Sequence, residues 1–463
     1  MSGFIDEGKI SRILGQSTYA SDDDIEGAIE KAKKLKGLSL EQATMLLNAK
    51  KAGHKKMIYS AAKEIKQNIY GTRLVLFAPL YLSNYCINNC LYCGFRRDNK
   101  ELRRKCLGFD EIKNEVGALL NEGHKRLLLV VGEHPEFSNI EYLEKSIESV
   151  YSVKHEKTEI RRVNVNCAPL SFEEFKRLKA CKIGTYQLFQ ETYHKETYEK
   201  AHPPGPKADY DKRIGAMDLA FKAGIDDLGI GVLFGLHDYK FETLALLMHA
   251  NYLDKTYGVG PHTISVPRIE PALNAPLANN PSAPVSDEDF KQMVAVIRMA
   301  VPYTGMILTT RERAQFRDEV FSVGISQISG GSKTNPGGYS KKKPDTKNEE
   351  QFVLSDKRTL AELVKDVCKM GYLPSFCTGC YRIGRTGDYF MQFAKSGKIQ
   401  NFCHPNAILT FKEYLIDYAD EELKKIGNKV IEKEIENIPD EKRREITVSR
   451  LKEIENGKRD LYF

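Results

Sequence analysis

From Gly71 onward the chain alternates short apolar runs with amphipathic segments. The runs lie at 74–82, 126–132, 161–168, 185–189, 227–234, 262–267, 304–309 and 323–328. Between them, the stretches 110–122, 171–181, 210–223 and 287–299 carry apolar residues at helical spacing, and several open on Ser or Asp, which cap helix N-termini. Strand and helix in alternation build a parallel sheet, and eight strands is the number that closes one. The expected fold class is α/β, a (β/α)8 TIM-type barrel over residues 71–370.

On either side of the barrel the pattern turns helical. Residues 1–70 are expected as a helical extension, with Ser39-Leu-Glu-Gln42 as a capping box and Ile, Ala and Leu at helical spacing as far as Tyr70. His54, inside the basic run 50–56, is expected on a solvated helix face. The Gly-, Lys- and Pro-rich segment 330–344 is expected as an exposed connector, followed by a helix at 357–370. Residues 371–463 are expected as a small, mostly helical C-terminal domain whose last 50 residues only wrap it.

Composition narrows the function classes. The 463 residues, 41% hydrophobic, suffice for one large domain with additions. A net charge of +7 is a small difference between 70 basic and 63 acidic residues, so no nucleic-acid face is implied. No stretch approaches the roughly 20 apolar residues of a membrane span, and the start shows no signal segment, so a cytoplasmic protein is expected. Ten cysteines in such a setting point to metal ligands or buried thiols.

The chemistry concentrates in Cys86-Ile-Asn-Asn-Cys90-Leu-Tyr-Cys93, directly after the first apolar run. Three thiols so spaced wrap one face of a cubane iron–sulfur cluster, thiolate being the ligand iron prefers there. A four-iron cluster held by three cysteines keeps one iron open to a small molecule. With Tyr92 before the third cysteine, the spacing resembles that of radical S-adenosylmethionine (SAM) enzymes. Polar residues collect at other strand ends, where barrels keep their working groups: Glu133 and His134 after the second, Gln190, Glu191, Tyr193 and His194 after the fourth, Arg311 and Glu312 after the seventh.

Cys377, Cys380 and Cys403 form a second three-thiol set, read either as a zinc knot completed by His404 or as a second cluster. Cys106, Cys167, Cys181 and Cys368 have no such partners and are expected as buried free thiols. His262 opens the sixth strand, on the barrel face opposite Cys86. Strands of about seven residues at roughly 3.3 Å each set the two faces on the order of 20 Å apart. His262 either caps a strand end or, with the C-terminal domain covering the lower face, meets the second thiol set.

The stretches APLYLSNYCINNCLYCGFRR, YQLFQETYH, GPHTISVPR and CTGCYRIGRTGDYFMQFAKSGKIQNFCHPNA together resemble the radical SAM tyrosine lyases that mature FeFe-hydrogenase. The barrel part alone is also similar to the thiazole-pathway tyrosine lyase, which makes dehydroglycine (2-iminoacetate) and lacks the C-terminal cysteines. Cys377, Cys380 and Cys403 thus choose between the two.

The resemblance implies that the Cys86, Cys90 and Cys93 cluster binds SAM and yields a 5′-deoxyadenosyl radical. It implies Glu133 on the methionine amino group, Glu191 as a further SAM contact and Arg213 on the methionine carboxylate. L-tyrosine would be held by Arg311 and Ser329 at its carboxylate and by Tyr81 at its amine, then cleaved at Cα–Cβ to p-cresol and dehydroglycine. The fragment would pass through the barrel to an auxiliary 4Fe–4S cluster on Cys377, Cys380 and Cys403. There CO and cyanide would form on an additional iron ligated by His262. An electron donor such as ferredoxin or flavodoxin and other hydrogenase maturation proteins are the implied partners. A non-catalytic iron–sulfur carrier is the third reading, which would not need Glu133, Glu191 or Arg311.

Overall fold

The computed structural model describes residues 3–16, 21–155, 158–341 and 348–463. Eight parallel strands close a barrel: β1 Arg73–Ser83, β2 Arg126–Val131, β3 Arg162–Asn166, β4 Tyr186–Gln187, β5 Leu228–Gly231, β6 Thr263–Ser265, β7 Gly305–Leu308 and β8 Gln327–Ser329. Closure is the pairing of β8 back onto β1, with Val75 opposite Gln327 and Phe77 opposite Ser329. A ninth strand, β9 Leu373–Ser375, adds in parallel to the first residues of β1.

Side chains on these strands alternate. On β1, Leu74, Leu76, Ala78, Leu80 and Leu82 pack into the main core shared with the surrounding helices. Their neighbours Val75, Phe77, Pro79 and Tyr81 line cavities inside the barrel. Period-two alternation is what a pleated strand imposes, and here both faces are buried.

Outside the barrel the helices follow the predicted segments: Phe109–Asn121, Phe172–Ala180 capped by Ser171, and Asp287–Ala300. The segment 210–223 differs, breaking at Gly215 into Tyr210–Ile214 and Ala216–Lys222. The eighth strand also starts later than its apolar run, and the fourth is two residues long.

Residues 3–70 include four helices, and Ser39 forms the expected capping box with Gln42. His54 is not solvated. It is 8% exposed with Nε2 3.0 Å from Asp22, because the helix Asp22–Lys33 packs against the helix that carries it.

The segment expected as an exposed connector is buried at Ser332 and over 334–338, while its residues 342–344 lie outside the described ones. Tyr339 donates its hydroxyl to the Pro79 carbonyl at 2.6 Å, and the Tyr339 and Ser340 amides donate to Glu115. Glycine and lysine marked a turn-rich stretch, but these hydrogen bonds strap it across the mouth of the barrel.

Farther along, Arg317, fully buried, pairs with buried Asp356 and donates to the Ser329 carbonyl at 2.7 Å. This ties the segment over the mouth to β8. Asp356→Ala leaves the Arg317 charge buried without its partner, so a loss of about 3–5 kcal/mol is expected. It will register as a lower urea midpoint at unchanged m-value.

Candidate active site

The loop after β1 carries Cys86, Cys90 and Cys93 onto the wall of one cavity of about 200 Å³ at the upper end of the barrel. Its backbone is fixed from several sides. Arg104 donates to the carbonyls of Asn84 at 2.7 Å and Phe95 at 2.8 Å, and the Leu91 amide donates to Ala201 at 3.0 Å. Gly132, just after β2, lets the loop approach: a Cβ there would overlap the Tyr85 carbonyl oxygen and lie 3.2 Å from the Cys86 Cβ.

Two amides point at the sulfurs, Asn88 Nδ2 to Cys86 at 3.8 Å and Gln351 Nε2 to Cys93 at 3.6 Å. Burial pushes the Cys90 thiol up to about 12, with Lys207 opposing, and raises Cys93 as well. Thiols so desolvated become thiolates when a strongly cationic group binds them, which is what an iron–sulfur cluster is to its ligands.

The other upper-site residues line the same cavity: Glu133, Glu191, Arg213, Tyr81, Arg311 and Ser329. Glu133 accepts from Asn88 Nδ2 at 2.6 Å. Glu191 sits at φ +71°, a left-handed conformation uncommon for a non-glycine residue. Its carboxylate is 2.6 Å from Lys207 Nζ and 3.2 Å from an Arg213 nitrogen. Burial raises the Glu191 carboxyl, but Lys207 and Arg213 outweigh that and hold it at about 2. Tyr81 donates to Gln351 Oε1 at 2.7 Å, and Ser329 Oγ accepts from the Thr310 amide at 3.1 Å. Arg311 lies 3.4 Å from the centre of the Phe352 ring and makes no ion pair among the described residues.

Four other polar rim residues have structural partners. His134 packs on Tyr85 and Phe137, Tyr193 is bonded to His249 at 2.8 Å, His194 caps the next helix, and Glu312 holds Arg268.

At the opposite end, Cys377, Cys380, Cys403 and His262 line one smaller cavity together with Tyr70, Arg73, Arg126, Arg162 and Tyr381. Burial pushes the His262 imidazole down to about 4 against the pull of Asp227, leaving it neutral. Cys403 is held well below the usual thiol range by the Cys380 thiol, with Arg73, Arg385 and Arg126 adding to the effect. The Nε donors of Arg73, Arg126 and Arg385 are buried without partners. Buried thiols, a neutral imidazole and unsatisfied guanidinium donors together suit a cluster with anionic ligands.

His404 takes no part. It faces a different cavity, with Nε2 2.9 Å from the Glu434 carbonyl, so the zinc knot it was to complete is not formed. Among the described residues no three His, Cys, Asp or Glu side chains close around a single metal ion. Of the four partnerless cysteines, Cys167 and Cys368 are buried, whereas Cys106 and Cys181 are partly exposed.

The two cavities adjoin along the barrel axis. Val75, Gly305 and Gln327 line the lower one, and Phe77, Ile307 and Ser329, two residues farther along the same strands, line the upper one. Sequence reasoning missed Asn88, Lys207 and Gln351 above and the three arginines below. Arg73, Arg126 and Arg162 each begin a strand, and that repeat was a readable signal.

Comparison with known proteins places this geometry. The Radical SAM superfamily model matches residues 80–250, and the Biotin and Thiamin Synthesis associated domain matches 265–373. The chain is 30% identical to the 2-iminoacetate synthase of Salmonella typhimurium over 75% of its own length and 89% of that protein. A crystal structure of HydG, a maturase of the FeFe-hydrogenase, superposes with a TM-score of 0.96 at 55% identity, covering 99% of this chain and all of the other. HydG from Carboxydothermus hydrogenoformans follows at 0.84 and 42% identity, covering 97% and 99%. Matched end to end by both maturase structures, including the C-terminal segment with Cys377, Cys380 and Cys403, the chain belongs to the HydG family of radical SAM enzymes.

Proposed function

We propose that this protein cleaves L-tyrosine in the upper cavity to p-cresol and dehydroglycine, and that the lower cavity turns the small fragment into CO and cyanide for FeFe-hydrogenase assembly. The observation carrying this reading is the gathering of Cys377, Cys380, Cys403 and His262 in one cavity directly below the cavity of Cys86, Cys90 and Cys93. A plain dehydroglycine synthase has no use for the lower set.

Membership of the superfamily brings a 4Fe–4S cluster and SAM, which together supply a carbon radical able to abstract hydrogen. The protein's part is binding and placement. Cys86, Cys90 and Cys93 would hold the cluster, and Glu133, Glu191 and Arg213 would hold the methionine end of SAM. Glu191, already neutralised by Lys207 and Arg213, offers acceptor geometry without a free charge. Arg311, pre-oriented on Phe352, suits a carboxylate, and Ser329 and Tyr81 lie beside it in the cavity.

Below, Cys377, Cys380 and Cys403 would hold an auxiliary cluster and His262 an additional iron, with the arginines balancing anionic ligands. A reduced ferredoxin or flavodoxin would be the electron source, and other maturation proteins would receive the product.

Anaerobically reconstituted protein supplied with SAM, L-tyrosine and dithionite is expected to form p-cresol, CO and cyanide. Absence of p-cresol from protein with intact clusters would refute the lyase reading. Formation of p-cresol without CO would leave a dehydroglycine synthase. His262→Ala is expected to keep p-cresol formation within about twofold, since no residue lines both cavities. It should lose the additional iron and lower CO roughly tenfold or more; iron content equal to wild type would remove His262 from the ligand set.

A further inference from the structure

Three carboxylates line the upper cavity, and two are engaged. Glu191 is paired with Lys207 and Arg213, and Glu133 accepts the short hydrogen bond from Asn88. The third, Glu270, follows β6 and is half-buried. Its hydrogen bond comes from the exposed Ser355 hydroxyl at 3.3 Å, and among the described residues it makes no ion pair. Arg311 in the same cavity makes none either. The cavity therefore holds one uncommitted guanidinium and one uncommitted carboxylate, the counterparts of the two charges on a zwitterionic α-amino acid.

Resting on the tyrosine reading above, we infer that Glu270 is the base that receives a proton from the substrate's α-ammonium before hydrogen is abstracted. Hydrogen is harder to abstract from a cationic ammonium than from a neutral amine, and only the neutral amine gives a nitrogen radical whose Cα–Cβ scission leaves the neutral imine dehydroglycine, so the substrate must lose a proton first. The transfer balances simply: the N–H bond of the ammonium breaks heterolytically, an O–H bond forms on Glu270, and no electron moves. From its half-exposed position Glu270 returns the proton to solvent.

The charged groups facing Glu270 are Arg311, Arg268 and Glu312, and Arg268 is itself held by Glu312 and Asp287. Burial raises the Glu270 carboxyl to about 7, with Glu312 adding and Arg311, Ser355 and Arg268 opposing. A base there is matched to neutral pH. Because its value is raised, the proton-accepting form is lost below about 7 and dominates above it.

The test is the pH profile of p-cresol formation by holoenzyme with saturating SAM. Wild type is expected to rise through about pH 7 and level off. Glu270→Gln should slow p-cresol formation by roughly 10²- to 10⁴-fold and abolish that limb. Glu270→Asp should restore the limb at reduced rate, which a merely space-filling role would not do. A Gln variant that keeps the wild-type limb overturns the inference, as does one that loses 5′-deoxyadenosine formation in the absence of tyrosine, which would place Glu270 on SAM. Either result leaves the lyase reading standing if wild type makes p-cresol; a wild type that makes none overturns both.

Discussion

On a closed parallel barrel every strand side chain points either to the helices or to the axis, and in this protein the axis carries buried polar groups among its apolar ones. Leu74, Leu76, Leu127, Leu129, Val163, Val165, Ile264 and Ile328 face outward and bind the helices to the barrel. Their neighbours include Arg162, Asn164, Gln187, Thr263, Ser265, Gln327 and Ser329, all buried. Stability is thus concentrated in the outer shell, and the inner face is left free to carry function. Gly229 and Gly305 extend that division: a Cβ at Gly229 would overlap the Gln187 side chain, and one at Gly305 the Gln327 amide. The axis holds large polar side chains because glycine stands beside them.

The lower end pays for this arrangement in desolvation. Arg126 and Arg162 are 7% and 2% exposed, and Asp227 is the carboxylate that Arg162 reaches, at 3.0 Å. Arg162 also lies over the Tyr381 ring, 3.1 Å from its centre, which offsets part of the cost. Isolated buried cations cost several kcal/mol each unless compensated. Thiols that ionise there would supply compensating charge of the required sign, so the arginine layer and the thiol set suit one another.

Most of the barrel was legible because its strands are buried on both faces and read as apolar runs. The limits came where tertiary contacts outvote local pattern. The fourth strand is regular over only two residues, although the Leu188 and Gln190 amides still donate to the Gly229 and Gly231 carbonyls of β5, and Glu191 then turns to positive φ. His54 lies in a run of lysines, yet the neighbouring helix covers it. The segment after β8 looks like a linker, yet Tyr339 and Glu115 bind it down. For the site, closely spaced cysteines and strand-end residues were readable. Glu270 was not, because nothing local separates a carboxylate that pairs from one left uncommitted. That distinction requires knowing where Lys207, Arg213 and Arg268 reach.

The last fifty residues, expected only to wrap the C-terminal domain, bear directly on the lower site. Lys125 and Arg161, which immediately precede β2 and strand β3's Arg162, are tied to Glu413 and Asp460 respectively, and the Asp460 amide donates to Glu413 at 2.6 Å. Phe463 donates its amide to fully buried Asn406 at 2.7 Å, and Tyr462 packs within about 3.5 Å of where a Cβ on Gly379 would lie. Gly379 sits between Cys377 and Cys380, and Asn406 is one turn beyond Cys403 on the same helix. The C-terminal tail therefore ties both pieces of chain that carry the lower thiols to the strand ends that carry the arginines. The chain that closes the lower end of the barrel is thus held in place by Asp460, Tyr462 and Phe463, all beyond the last helix.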